Sequence, residues 1–466
     1  ILYELKFRKR GICMKKTNDL GKGNIGKLLI SLAAPAIVAQ LVNVLYNIVD
    51  RIFIGRMDNG ELAMAGVGVA FPILMLISAF SALIGMGGAP LCAIKMGEKN
   101  NDEAEKIMSN SFSMLLIIAV ILTTGFLIFK EPILWAFGAS EATIGYALDY
   151  LSIYVLGTIF VQIALGMNSY INTQGFAKIG MMTVVIGAVI NIVLDPIFIF
   201  VFDLGVKGAA LATVAGQMVS ALWVLKFLFG KQSILKIRKK YMVPDLKVVG
   251  ATMALGVSPF IMQSTESLVL ISLNTRLSMF GGDLAVGAMT IMSSIMQIVV
   301  MPLQGLAQGA QPIISYNYGA KQMDRVKKTF KLTLISCLSF TVIMCSLLML
   351  FPNLFVSIFN NEPELVAITT WAIRIYFLGI FVFGAQIACQ QTFLALGQAK
   401  ISLFLALLRK VVLLVPLIYI LPNLFQDKLM GVLVAEPIAD IIATLTTVTC
   451  FMVFYKKKFK DVDKTE

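Results

Sequence analysis

Twelve stretches of this sequence are apolar for long enough to cross a lipid bilayer as helices. They cover 27–50, 62–90, 106–129, 143–167, 174–201, 207–229, 249–274, 284–312, 330–351, 365–388, 400–421 and 430–455. At a rise of about 1.5 Å per residue, ~20 apolar residues span the ~30 Å hydrocarbon core. A backbone in lipid must satisfy its own hydrogen bonds, so such runs fold as helices. The longest runs predict tilt, or extension past the bilayer. The expected fold is an all-α membrane protein with twelve transmembrane helices.

Charge sets the direction of those spans. Only 14% of the 466 residues are charged and 58% are hydrophobic, against about 25% charged in soluble domains. A soluble enzyme, a nucleic-acid binder and a disordered chain are all excluded on that ground. The net charge of +13 does not point to nucleic acid, because the cations sit in short loops between apolar runs. Thirty of the 39 Lys and Arg fall on the side that holds both termini. Six fall on the other side: Arg51, Arg56, Lys130, Lys207, Arg276 and Lys428. Arg374, Arg409 and Lys410 lie within spans. The positive-inside bias places both termini in the cytoplasm. It also favours an even number of spans.

Residues 1–26 read as a cytoplasmic segment, with 1–13 as an upstream extension before Met14. Cys92, Cys337, Cys345, Cys389 and Cys450 lie in or beside apolar runs. With Cys13 they form no CxxC pair, so they read as small hydrophobes rather than disulfides or metal ligands. The chain has no histidine. Any proton or cation must then be handled by carboxylates, amides, hydroxyls and backbone carbonyls. No Walker-type phosphate loop and no nucleophile constellation is present, so neither direct ATP use nor an enzyme is supported, and no cofactor is expected.

The two halves repeat. Gly60 and Gly282 each begin a Gly-acid-Leu-Ala tetrad, 222 residues apart. Pro90 and Pro312, Gly97 and Gly319, and Gly175 and Gly397 keep the same spacing, and Pro35 and Pro259 nearly so. A six-span repeat preserves orientation, which predicts two six-helix lobes related by a pseudo-two-fold axis along the membrane normal, as in many secondary transporters. The N-lobe is expected over 27–230, a cytoplasmic linker over 231–248, the C-lobe over 249–455 and a basic tail over 456–466.

Ionisable residues at membrane depth are costly and mark function. In the first half, Asp50 ends the first span and Asn191 and Asp195 share one face of the fifth. Thr213 in the sixth span and Tyr150 in the fourth fall at matching depth in the outer half. Together they make an oxygen site for Na⁺ or a proton. Pro196 removes a helical donor beside it. The plainer alternative pairs Asp50 with Arg51 or Arg56 and makes Asp195 part of a proline kink.

In the second half, Glu266, Glu436 and Asp440 face Arg374, Arg409 and Lys410. That set can neutralise itself as structural salt bridges, or leave Glu266 or Asp440 for a cationic substrate. Gln263, Met289 and Met296 join those two as candidate substrate contacts, since flexible Met surfaces suit varied apolar ligands. At an offset of 222, Asn191 and Asp195 fall on Leu413 and Leu417, so the ion chemistry is asymmetric.

Several segments resemble the multidrug and toxic-compound extrusion (MATE) family. They are Pro35 with Tyr46-Asn-Ile-Val-Asp-Arg-Ile-Phe-Ile-Gly55, Gly175-Phe-Ala-Lys178, Asn191-Ile-Val-Leu-Asp-Pro196 and Gly205 to Thr213. In the second half, Gln304-Gly305, Gln308-Gly309, Gln311-Pro312 and Tyr318-Gly-Ala320 are similar too. The resemblance spans about 25–455 and is nearest the MepA-like bacterial subgroup. It implies an antiporter that exchanges Na⁺ or H⁺ for lipophilic, mostly cationic drugs. It also implies an N-lobe cation site at Asp50, Asn191, Asp195 and Thr213, with Tyr150 a looser match. Some relatives carry a seventh-span Glu, matched by Glu266, together with a tenth-span Asp. Here that neighbourhood reads Gly384-Ala385-Gln386, which weakens a C-lobe ion site. A monomer is expected. A lipid-linked oligosaccharide flippase is the alternative of the same broad fold, a channel is another, and the loop Lys95 to Asp102 lacks the major-facilitator pattern.

Overall fold

The computed structural model describes residues 19–360 and 362–459. The expectations for 1–18, including the extension 1–13 and Cys13, and for 460–466 of the tail lie outside the described residues. Six helices make the first lobe: α1 (Ile25–Gly55), α2 (Gly60–Gly97), α3 (Asn101–Ala136), α4 (Ile144–Leu156 continued by Thr158–Thr173), α5 (Ala177–Val201) and α6 (Gly205–Leu228). The second lobe opens with α7 (246–281) and α8 (283–319). These two are joined without a loop and divided at Gly282, whose φ of 64° and ψ of −161° suit glycine alone. α9 (Met323–Leu350), α10 (Pro363–Ala395), α11 (Ala399–Asn423) and α12 (Lys428–Lys458) complete it. The twelve expected spans are all present, and no strand occurs among the described residues.

Several helices extend beyond their apolar runs because polar caps prolong them. Asn24 Oδ1 accepts from the amides of Gly26 and Lys27 at 2.9 and 3.2 Å, starting α1. Asn100 Oδ1 accepts from Glu103 N and starts α3. Such caps satisfy amides that the first turn leaves without partners. One expected boundary moves: the run 174–201 crosses a turn at Gly175 (φ 84°), so α4 runs to Thr173 and α5 starts at Ala177. α4 also bends by 57° at Gly157, where Val214 of α6 crowds the backbone.

The repeat extends to the backbone. Lys99 and Lys321 both have positive φ, 60° and 59°, and Gly175 and Gly397 have 84° and 71°. The break at Gly157 in α4 recurs as a 3₁₀ turn, Phe377–Gly379, in α10. These pairs keep the spacing of the sequence repeat.

The lobes meet through glycines at the end where the described chain begins and finishes. A Cβ on Gly97 of α2 would lie 2.0 Å from the Tyr316 carbonyl of α8, and one on Gly319 of α8 would lie 2.0 Å from the Ile94 carbonyl of α2. The two contacts are images of each other under the repeat. Gly87 of α2 likewise lies on Thr252 and Gly256 of α7, and its counterpart Gly309 of α8 lies on Ala33 of α1. Such small-residue crossings bring backbones into direct contact. Gln40 and Gln308 bond across the same junction at 3.4 Å. Farther along, α1 exposes Leu41, Leu45, Ile48 and Ile52, and α7 exposes Leu268 and Ile271.

The segment between lobes packs against the start of α3. Gln174 Oε1 accepts from Leu235 N and Ser233 Oγ at 2.9 Å. Glu105 holds Arg238 at 2.7 Å, Lys106 holds Asp245 at 2.8 Å, and Asp102 accepts from Tyr241 and Lys240. The Tyr241 hydroxyl, then Lys240, hold the Asp102 carboxyl below its ordinary range, and Lys106 does the same for Asp245. Depressed carboxyls contribute stability that is fully present above their unfolded value of about 3.9 and is lost below it, as pH falls through the lowered folded value. Amide exchange of 233–245, corrected for its intrinsic pH dependence, should therefore rise relative to the spans once pH drops below ~4. Equal protection at pH 7 and pH 3 would contradict this.

The lobe seal gives a second expectation. Gly256→Val sets a side chain where even a Cβ lies 1.7 Å from the Leu83 carbonyl, whereas Gly68→Val enters open space. Electron-spin distances between labels on Lys99 of the first lobe and Lys321 of the second, both exposed, should lengthen in the first variant and stay unchanged in the second.

Candidate functional site

In the N-lobe four helices bring the five expected residues together. α5 and α6 approach closely because Gly187 lies against Ser220 and Gly216 against the Gly187 carbonyl. That approach lets Asn191 Nδ2 reach Thr213 Oγ1 of α6 at 3.3 Å, while also donating to Asp195 Oδ1 one turn along at 3.2 Å. Asp50 of α1 reaches the Asp195 carboxyl, and Tyr150 of α4 reaches Thr213. Asp195 is fully buried and Asn191 nearly so. After Pro196 the helix widens into a π turn over Ile197–Val201, consistent with a donor lost at proline.

Asp50 Oδ1, Asp195 Oδ2 and Asn191 Oδ1 are buried without hydrogen-bond partners. Native structures leave only a few such polar atoms per hundred residues, and here three belong to neighbouring side chains of one cluster with no cationic side chain between them. The arginines do not fill the gap. No ion pair joins Asp50 to Arg51 or Arg56 among the described residues, and Arg51 lies over the Phe71 ring at 5.5 Å. Two adjacent carboxylates at low dielectric resist joint ionisation unless a proton or a cation joins them. The donor set is two carboxylates, an amide oxygen and a hydroxyl, all hard oxygens of the kind that suit Na⁺. No group of three or more Cys, Asp or Glu placed to hold a metal ion occurs among the described residues.

Sequence reasoning missed Tyr46. It lies one turn before Asp50 on α1 and is partly buried, and Tyr154 stacks with Tyr150 at 6.1 Å. The four-residue spacing of Tyr46 and Asp50 was the available signal.

The second-half residues form a different object. α11 widens into a π turn, Leu408–Leu414, which presents Arg409 and Lys410 together. Arg409 Nε donates to Asp440 Oδ1 at 2.7 Å and its Nη2 to Glu436 Oε1 at 3.1 Å, with the guanidinium 4.5 Å over the Phe383 ring. Lys410 pairs with Glu266 and donates to the Met262 carbonyl. Arg374 departs from expectation: it is exposed and makes no ion pair among the described residues. Its place on α10 turns it away from this cluster, which a span position alone does not reveal. Glu266 keeps 61% of its side chain accessible despite its mid-helix position. Asp440 is buried under Arg409, Met289 lies in the C-lobe core, and Met296 packs at that core's edge. Gln263 is partly buried one turn before Glu266.

Comparison with known proteins decides the family. The MatE family model matches twice, over residues 35–197 and 259–420. The chain belongs to the MatE family. The two MatE matches begin at Pro35 and Pro259, the prolines that open the sequence repeat. Among curated relatives, the multidrug export protein MepA of Staphylococcus haemolyticus is 25% identical over 445 residues, covering 95% of this chain and 96% of that protein. MepA of Staphylococcus aureus is 24% identical over 428 residues, covering 91% and 94%. Among solved structures, one described as the outward-facing conformation of a multidrug resistance MATE family transporter superposes with a TM-score of 0.89. It is 23% identical and covers 96% of this chain and 99% of its own. A transporter from Pyrococcus furiosus superposes at 0.88 and 23% identity, covering 95% and 99%. These structures establish the MatE fold of two pseudo-symmetric lobes.

The C-lobe cluster predicts a stability signature. Arg409→Met would leave Glu436 and Asp440 buried without their cation, costing about 3–5 kcal/mol by analogy with broken buried ion pairs. Thermal unfolding in detergent should show a clear loss for Arg409→Met. Adding Glu436→Gln and Asp440→Asn to that variant should restore more than half of it. A triple variant no more stable than the single one would contradict the pairing.

Proposed function

We propose that the chain is a secondary multidrug efflux antiporter that exchanges H⁺ or Na⁺ for lipophilic, mostly cationic compounds. The observation that carries this reading is the group of three unpartnered buried oxygens on Asp50, Asn191 and Asp195, in a chain of the MatE family. The names of the MepA relatives, multidrug export proteins, support the substrate class. The basic loops support cytoplasmic termini in a bacterial plasma membrane. On that orientation the glycine seal lies at the cytoplasmic end and the lobes part toward the outside.

In the proposed cycle, a cation from outside binds between Asp50 and Asp195, with Asn191, Thr213 and Tyr150 completing its oxygen shell. Neutralising the pair removes the repulsion that holds the first lobe in its loaded packing. α1 and α5 then repack and expel the drug from the space between lobes. With the lobes open to the cytoplasm, the ion leaves and a new drug binds. Glu266, accessible at mid-membrane, is the proposed contact for the drug's positive charge, and Gln263 and Met296 line its approach. Asp440 and Met289 would contribute only in a conformation that uncovers them. The flippase alternative needs several cations facing the space between lobes; Arg409 and Lys410 are instead occupied by acids, which leaves Arg374 alone exposed among the three span cations.

Ethidium transport in everted vesicles under separate Na⁺ and pH gradients tests this. Asp50→Asn and Asp195→Asn should each reduce gradient-driven transport at least ~10-fold with insertion unchanged, the loss expected when a coupling charge is removed. The effective gradient identifies the ion. Wild-type-like transport by both variants would overturn the assignment.

A further inference from the structure

A groove of about 750 Å³ opens between α9 and α12, at the end where the lobes seal. It belongs to neither the cation site nor the C-lobe cluster. Among the described residues its rim carries Lys327, Lys328, Lys331 and Lys456, with Asp324 the one acid. Its wall is apolar: Phe330, Leu334, Ile335, Phe451 and Met452. Phe330 and Phe451 stack at 4.3 Å and set its depth.

The spacing explains the polarity gradient. Residues 324, 327, 328, 331, 334 and 335 share one face of α9, and 452, 455 and 456 share one face of α12. The lysines lie toward the helix ends, where the polar interface begins. Ile335 and Met452, both half exposed, lie deeper. By contrast, the nearby Arg325 turns inward, donating to Asn317 Oδ1 at 2.9 Å and to the carbonyls of Leu20, Lys22 and Gly23. Among the described residues Lys328, Lys331 and Lys456 have no ion-pair partner.

We propose that this groove binds a phospholipid with an anionic headgroup, its phosphate among the lysines and its acyl chains along Leu334, Ile335 and Met452. Charge complementarity selects the headgroup. The ammonium groups of Lys328, Lys331 and Lys456, without ion-pair partners among the described residues, attract a net anionic lipid, while a zwitterionic lipid would bring its own cation against them. The apolar wall continuing to bilayer depth selects a lipid over a free anion.

The test is to reconstitute the full chain in nanodiscs of equal phosphatidylglycerol and phosphatidylcholine, extract it in detergent and quantify retained lipid by native mass spectrometry. Phosphatidylglycerol should be enriched about fivefold or more, as expected for lysines at a membrane surface. The enrichment should fall to the bulk ratio in Lys328→Gln/Lys331→Gln/Lys456→Gln and persist in Lys457→Gln/Lys458→Gln, whose residues flank the groove without lining it. In the unaltered protein it should weaken in high salt and survive millimolar inorganic phosphate at constant ionic strength. Bulk-ratio retention by the unaltered protein, equal enrichment in both variants, or full displacement by inorganic phosphate would each overturn the proposal.

Discussion

Charge at membrane depth has to be compensated within the protein, because lipid offers nothing to answer it. The two lobes meet that demand differently. In the C-lobe, Arg409 answers Glu436 and Asp440, and Lys410 answers Glu266. In the N-lobe, Asp50 and Asp195 come together with no cationic side chain between them, only Asn191, Thr213 and Tyr150. One lobe is electrically self-contained, and the other leaves its two carboxylates without a cationic side chain. That difference, set by side chains, makes a duplicated fold electrostatically one-sided.

The duplication supplies the scaffold. Glycines at matched positions let α2 lie on α7 and α8, and α8 lie on α1 and α2, backbone against backbone. A contact this close is either fully made or lost, since a packed interface has little intermediate slack. Concentrating it at one end lets the other end part without unfolding either lobe. The Asp50–Asp195 carboxylate pair lies away from the seal, near the far end of α1, so its state can bias the packing of a helix that also takes part in the seal through Ala33 and Ile37.

Much of this was legible in the sequence because membrane depth can be counted. The positions of Asp50 and Asp195 along outward-going spans, and of Thr213 and Tyr150 along inward-going ones, place them at one height, and the structure brings them together. Facing is harder to read than depth. Arg374 shares the height of the C-lobe acids but turns away, Met289 turns into the core, and Tyr46 lies one turn from Asp50 unannounced. An almost uniformly apolar helix lacks the polar stripe that would reveal its inward face. The linker was legible as a polar stretch, but its packing against α3 depends on long-range pairs such as Glu105 with Arg238 that spacing does not encode. The joint at Gly282 and the bend at Gly157 likewise depend on backbone geometry rather than hydrophobicity.

The most direct measurement is the ion-induced infrared difference spectrum of the purified protein in lipid, recorded on adding Na⁺ at fixed pH and on stepping pH without Na⁺. With Asp50 and Asp195 as the pair that takes up the cation, one of the two steps should change the carboxyl bands, and that change should vanish in Asp50→Asn/Asp195→Asn while persisting in Glu266→Gln. A carboxyl signal that survives the double substitution unaltered, or that disappears with Glu266→Gln, would place the ion elsewhere.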